Sequence, residues 1–389
     1  MSRVAVIGAG PSGMMAAYRA ALNGNEVSVY DPNEKHGRKL RITGKGRCNV
    51  CNNCDINTVM ANIPGDGRFL YSALNRFSPA DVIDFFESNG VKLKTERGNR
   101  VFPESDNAND IADCMATLCA NAGVEFVRKK VGRISQLSYD KLIIATGGLS
   151  YPLTGSTGFG YDFARELGHH IIEPKPSLIP LESDDAWCSE LQGFSPKNVV
   201  LRAYENDRLI YKELGEMLFT HFGVSGPLVL TASSHMNNPA NCRLEIDFKP
   251  ALDDNKLDER ILRDFKKNAN KHFGNYLPSL TGKSMAAVVA KLAEIDNDVP
   301  VNEITHAQRT KLRMLLKSFP VAITGTRPID EAIVTKGGVD TKEINPRTME
   351  SKLVPGVYFC GEVLNLDAYT GGFNLQIAWS TGFVAGESV

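Results

Sequence analysis

Three glycine clusters, each set beside a short apolar run, are the residues best placed to do chemistry. Gly8-Ala9-Gly10-Pro11-Ser12-Gly13 follows the β-branched run Arg3-Val4-Ala5-Val6-Ile7 and leads into Met14 to Leu22, which carries small residues on one face. In such a turn Gly8 permits the tight bend, and Gly10 lets a pyrophosphate approach the backbone. Gly13, with Ala16 and Ala20, lets a helix pack closely on a sheet. Ser12 lies in the same turn, and the helix N-terminus offers free N–H groups and a partial positive charge to phosphates. A second apolar run, Glu26 to Tyr30, ends at Asp31, where a carboxylate can accept hydrogen bonds from a ribose diol. A lone glycine pattern is weak evidence. Strand, glycines, small-faced helix, strand and acid in register predict a dinucleotide site.

Two distant segments point to FAD as that dinucleotide. Asp140 to Ile144 reads as a buried strand ending in Ala145-Thr146-Gly147. Gly356 to Cys360 reads as another, ending in Gly361-Glu362. Glu362 can meet the ribityl hydroxyls of a flavin. Gly371 and Gly372 then open a helix beginning Phe373-Asn374-Leu375, whose N-terminus can face the N1/C2=O edge of the ring and favour its reduced, anionic form.

The stretch Gly37-Arg38-Lys39-Leu40-Arg41-Ile42-Thr43-Gly44-Lys45-Gly46-Arg47-Cys48-Asn49 resembles the signature of the aminoacetone-oxidase-like family of bacterial FAD-binding proteins. That family is distantly related to glutathione-reductase-type flavoproteins. Leu218 to Pro227, Glu331 to Val339 and Met349 to Trp379 carry the same resemblance, which runs from about residue 3 to 386. It implies FAD, and a Rossmann-like domain interrupted by a β-barrel that carries a small helical subdomain. It also implies backbone contacts to adenine near Val131. Activities named within the family include amine oxidation and a reductive step in bile-acid conversion. Read from its residues alone, the signature is a loop of five cations, Arg38, Lys39, Arg41, Lys45 and Arg47, among Gly37, Gly44 and Gly46. Such a loop can wrap a pyrophosphate and reach the flavin with Arg38, Lys39, Gly46, Arg47 and Cys48.

The elements that must position these residues follow from pattern and punctuation. The fold class is α/β. A Rossmann-like FAD domain is expected over 1–182 and 341–389, a β-barrel over 183–252 and 321–340, and a helical subdomain over 253–320. Helices are predicted over 77–90, 110–122 and 161–167. Alternating runs at 197–204, 208–212 and 242–248 read as antiparallel strands. The Pro-rich stretch 173–180 reads as an extended boundary.

Other candidates are weaker. Cys48, Cys51 and Cys54 are spaced like part of an iron–sulfur run, but the fourth cysteine is absent: position 58 is Thr58. No metal site is expected. His169 and His170 are adjacent and must diverge. His221, in Thr220-His221-Phe222-Gly223, and Lys336, beside Gly337-Gly338, are the candidate acids or bases. Gly155 to Gly160 lacks the strand–helix–acid context of a second dinucleotide site, so NAD(P)H would act only as a transient reductant.

Composition bounds the rest. With 389 residues and about 150 per domain, two to three domains are expected. Lys plus Arg number 44 and Asp plus Glu 45, which counts against nucleic acid as a partner. Eight cysteines are too few for a disulfide scaffold, and no apolar run spans a bilayer, so a cytoplasmic protein without membrane contact is expected. The reading is an FAD-dependent oxidoreductase that moves a hydride between flavin N5 and a small organic substrate, in a cleft between the Rossmann and inserted domains. Its alternatives are a flavin-dependent RNA-modifying enzyme and a non-catalytic FAD-binding scaffold or sensor. Oligomeric state is not legible.

Overall fold

Val4, Ala5, Val6 and Ile7 are all 2% exposed or less, and a strand buried on both faces belongs inside a parallel sheet. The computed structural model, which describes residues 1–389, places it there. The central sheet contains β1 (Arg3–Ile7), β2 (Glu26–Asp31), β3 (Glu125–Arg128), β4 (Lys141–Ile144) and β5 (Val357–Phe359). Their order is β5-β4-β1-β2-β3, and every pairing is parallel. Ile7 pairs with Ile144, and Ile144 with Phe359. The carboxyl ends of β1, β4 and β5 therefore lie side by side, and the segments after them emerge at one edge of the sheet.

Two helices close on this sheet. α1 (Pro11–Leu22) begins with Pro11, whose missing N–H costs nothing in the first turn. α2 (Phe373–Glu387) ends the chain and is apolar nearly all round, as a helix covered on most sides must be. Gly382 and Gly386 let α1 and α2 touch backbone to backbone. A Cβ on them would lie 2.4 Å from the Ser12 carbonyl oxygen and 2.3 Å from that of Ala16.

The chain divides into two compact units, Met1–Ser177 with Pro328–Val389, and Leu178–Arg327. The first also contains a three-stranded antiparallel sheet of Cys51–Asn52, Leu93–Glu96 and Arg100–Pro103. The Pro-rich stretch is a strand, Ile171–Ser177, paired with Val334–Val339. That pairing holds 334–339 in the first unit, whereas the expected boundary had placed 321–340 with the inserted strands.

The second unit is built on two four-stranded antiparallel sheets. One joins Val199–Glu205, Arg208–Gly215, Cys242–Asp247 and Phe319–Ala322. The other joins Leu181–Glu182, Leu218–Thr220, Gly223–Ser225 and Gly325–Thr326. Helices Asp254–Lys267, Phe273–Thr281, Lys283–Ala293 and His306–Lys317 carry Leu257, Ile261, Phe273, Val289 and Leu312 into a core shared with the strand residues Leu201, Leu244 and Phe319. The first unit has a separate core, centred on Trp379, Phe86 and the sheet.

Candidate cofactor site in the first unit

The glycine turn is shaped by three different demands. A Cβ on Gly8, whose φ is +106°, would lie 2.4 Å from the Ala145 carbonyl oxygen, so the β1 and β4 segments touch here. A Cβ on Gly13 would lie 1.9 Å from the Gly8 carbonyl oxygen. Packing accounts for both. Gly10 has an ordinary φ of −80° and no protein atom within 4 Å of where its Cβ would be. The open space lies at the N-terminus of α1, where a phosphate can reach the backbone.

Asp31 braces that turn. Its carboxylate accepts from the Ala9 amide at 2.8 Å and from the Asn33 amide at 2.8 Å. The remaining lone pairs can still meet a ribose hydroxyl, yet the visible work of Asp31 is to fix the loop. The Gly37 amide donates to the Ala9 carbonyl at 2.8 Å, which ties the basic segment to the same turn.

That basic segment is not an open loop. Arg38–Gly46 begins as a helix after a left-handed Gly37 and breaks at Thr43-Gly44-Lys45, where Gly44 and Lys45 are left-handed. Its cations have parted company. Arg38 donates to Asn33 at 2.9 Å. Arg41 pairs with Asp113 at 2.6 Å. Arg47 lies between Glu96 and Asp106, 4.2 Å above the Phe102 ring, and both carboxyls are held below their usual range by it and by Lys94. Gly46 is left-handed with open space around it. Only Lys39 reaches the strand ends.

Lys39 Nζ lies 2.8 Å and 3.0 Å from the Glu362 carboxylate oxygens and 2.6 Å from Ser150 Oγ. Glu362 also accepts from Ser150 Oγ at 3.1 Å and from the Thr335 amide at 2.8 Å. Both charged side chains are about one-fifth exposed, at 19% and 20%. Gly361 is pinned against Ser12, with a Cβ there 2.3 Å from the Ser12 hydroxyl oxygen. The structure thus brings the segments of Ser12, Lys39, Thr146, Gly147, Gly361 and Glu362 to one end of the sheet. Gly371 and Gly372 are left-handed at the start of α2, and a Cβ on Gly372 would strike the Cys51 backbone at 2.3 Å. Asn374 spends its amide on the Ala368 backbone, and Leu375 stands one residue further along α2. Val131 is buried in the segment after β3.

Sequence reasoning missed Ser150, Tyr161, Thr335 and Asp367. Asp367 is 6% exposed and accepts from Ser177 Oγ at 2.7 Å. Burial raises its carboxyl pKa, against the pull of Ser177 and of nearby Lys336. Tyr161 has its phenol buried without a partner, and burial together with Glu362 pushes its pKa up. Thr146 Oγ1 is likewise buried and unpartnered. Orphaned polar atoms beside an open glycine turn suit a site that a polar cofactor completes. Thr335 and Asp367 lie inside the family-matched stretches Glu331 to Val339 and Met349 to Trp379, but nothing in the spacing singles them out, and Ser150 and Tyr161 lie in neither.

The remaining candidates are elsewhere. His221 is exposed on the turn between two strands of the second unit, edge-on to Phe222. Lys336 is half-buried in the first unit near Asp367. Cys48 and Cys51 are buried and Cys54 is half-buried. Burial pushes the Cys48 thiol to about 12 and Cys54 to about 11, and raises Cys51 as well, so these are protonated thiols at neutral pH. His169 is a structural histidine, bridging Glu343 at 2.9 Å and Ser351 at 2.8 Å.

A family model described as the HI0933-like protein Rossmann domain matches residues 2–388. The chain belongs to the HI0933-like family. This is an FAD-binding Rossmann family of the flavoprotein oxidoreductase type, and the fit of the turn, the sheet edge and the orphaned polar groups agrees with it. The HI0933-like chain is 31% identical to a ribosomal RNA dihydrouridine synthase of Escherichia coli (strain K12), over 99% of this chain and 97% of the relative. It is 30% identical to a protein of the same name from Haemophilus influenzae, over 99% and 97%. It is 28% identical to a 3-dehydro-bile acid delta(4,6)-reductase of Clostridium scindens, over 100% and 99%. These relatives place it in the wider family without singling out the aminoacetone-oxidase-like group. No helix is long and apolar enough to cross a membrane.

Proposed function

We propose that this protein is a flavin-dependent reductase of a carbon–carbon double bond conjugated to a carbonyl, and that its substrate is a uracil ring in ribosomal RNA. The observation that carries the reading is the shared chemistry of its full-length relatives. Forming dihydrouridine and reducing a delta(4,6) ketone both add a hydride and a proton across a double bond polarised by a carbonyl. Uridine is favoured over a small enone because two relatives above the others in identity carry that name. The near-neutral overall charge does not oppose it, since a local cationic surface suffices for RNA.

Bound FAD would supply the hydride, after reduction by a nicotinamide. The chain's own residues divide the remaining work. The Gly8 to Gly13 turn and the N-terminus of α1 hold the pyrophosphate, with Asp31 keeping the turn in shape. Lys39 and Glu362, with Ser150 and Thr335, present a preorganised polar group to the ribityl chain. Gly371, Gly372 and the first turn of α2 would offer N–H groups and a positive helix end to the flavin ring. Asp367, held toward its protonated form by burial, is the best-placed carboxyl in this unit to act as an acid. Lys336 beside it and His221 in the second unit are the other candidates.

The test is anaerobic. The flavin is bleached with NADH or NADPH, and uridine-containing ribosomal RNA or an enone steroid is then added. The expected result is rapid re-oxidation by the RNA, with a mass gain of two hydrogens on one uridine. Re-oxidation by the steroid alone selects the small-molecule reading. Re-oxidation by neither, at a rate above buffer, refutes the reductase.

A further inference from the structure

The Asp254–Lys267 helix carries more cations than acids on its outward side. Its acids are used within the unit. Asp253 caps the first turn by accepting from the Lys256 amide at 2.8 Å. Asp254 lies 3.6 Å from Arg313, and Asp258 takes Arg309 at 3.0 Å, both on the neighbouring His306–Lys317 helix. Leu257, Ile261 and Phe265 fill the core side, with Phe265 edge-on to Tyr276 at 5.4 Å. The outward side carries Lys256, Arg260, Arg263, Lys266 and Lys267 at helical spacing, with Glu259 and Asp264 as its acids, and Lys271 extends the row past the helix end. Lys256 and Arg260 make only long pairs, of 3.6 Å and 3.7 Å. Arg263, Lys266, Lys267 and Lys271 are exposed and enter no ion pair.

A helix dipole explains cations in the last turn alone. It does not account for Lys256, Arg260 and Arg263, one to three turns earlier. A membrane-surface helix would show apolar side chains between its cations. Here Leu257, Ile261 and Phe265 are buried on the core side, Leu262 is half-buried, and no large apolar side chain between 254 and 271 is exposed. What remains is a rigid row of cations about 16 Å long, from Lys256 to Lys267, matched to a polyanion of regular spacing.

We propose that this face, Lys256 to Lys267 with Lys271, is a phosphate-backbone contact for the RNA substrate; it rests on the uridine-reduction reading above. The contact carries position and affinity rather than sequence choice.

The experiment measures binding of a fluorescein-labelled RNA stem-loop to the FAD-loaded full chain across a salt series, with no nicotinamide present. The variant is Arg263→Glu/Lys266→Glu/Lys267→Glu, and Arg263→Gln/Lys266→Gln/Lys267→Gln guards against a folding defect. The expected result is at least a tenfold loss of affinity at moderate salt and a salt slope shallower by about two to three. Flavin content and nicotinamide-driven bleaching should stay unchanged. Equal affinity and slope in the Gln variant would overturn the proposal, as would failure of the wild type to bind the stem-loop. Tight binding to phosphatidylserine vesicles with none to RNA would overturn it in favour of a membrane. RNA binding without uridine reduction would instead remove the reaction and leave this surface standing.

Discussion

The two units each bury one ion group and differ in what surrounds it. In the first, Lys39, Glu362, Ser150, Thr335, Ser177 and Asp367 are drawn inward into hydrogen-bonded groups at the end of a parallel sheet. In the second, one buried carboxylate, Asp247, is held between Lys317 at 2.6 Å and Arg202 at 3.7 Å, and the cations of the Asp254–Lys267 helix face outward. Burying ionised groups costs several kcal/mol per ion before pairing repays it; the first unit's group stands at the sheet end beside an open glycine turn, whereas the second unit's group ties a strand to a helix. The difference teaches where to look for chemistry and where to look for grip.

Glycine use sharpens the contrast within the first unit. Gly8 and Gly13 are explained by protein atoms that a side chain would strike. Gly46 is explained by its left-handed φ of +84°, while Gly10, with an ordinary φ and no protein atom within 4 Å, is left for a ligand to explain.

The largest expected effect falls on the second unit. Phe319 is fully buried and touches Trp187, Phe219 and Phe248 edge-on. Phe319→Ala should cost about 3–5 kcal/mol. Calorimetry should show one unfolding transition moving down while flavin absorbance is kept. Joint loss of flavin and fold would break the separation between the two cores. Next is Gly13→Ala, which should destabilise the first unit by roughly 1–3 kcal/mol through overpacking against the Gly8 carbonyl. An unchanged thermal midpoint would show that the turn yields easily. Glu362→Gln should lower flavin affinity severalfold on dialysis, since Lys39 loses its ionic partner and the ribityl chain a carboxylate. Full retention would remove that role.

The smallest effect concerns pH. Glu96 and Asp106 are held below their usual range, first by hydrogen bonds from Arg47 and from Lys94 respectively. Carboxyls whose folded pKa is depressed stabilise the fold above their unfolded pKa, and that stability is lost as pH falls through the folded one. The thermal midpoint should therefore drop across the acidic carboxylate range, and Arg47→Gln should flatten that dependence. A parallel curve for the variant would show that these exposed pairs contribute nothing.

Much of the first unit was legible because its elements follow local rules. β1, α1, β2 and the strands ending near Gly147 and Gly361 each carry their own periodicity and punctuation. Ser78 and Pro79 likewise announced the Pro79–Ser88 helix through a capping box. The fate of the basic segment was not legible. Arg47 is claimed by Glu96 and Asp106, which lie 49 and 59 residues away, and no spacing rule pairs them. Asp367 and Thr335 were invisible for the same reason: their partners, Ser177 for one and Leu149, Ser150 and Glu362 for the other, lie far off in the chain. The cations of the Asp254–Lys267 helix could not be judged from the whole-chain charge, because a count cannot tell which acids on the same helix are already used.

The central claim is that the glycine turn, the Lys39–Glu362 group and the start of α2 form one FAD site. The direct measurement is titration of the flavin-stripped full chain with FAD, beside Gly10→Val. The account requires one FAD per chain for the wild type and at least tenfold weaker uptake by the variant, whose apo thermal midpoint stays close to wild type. A wild-type chain that takes up no FAD, or a variant that takes it up equally well, would contradict it.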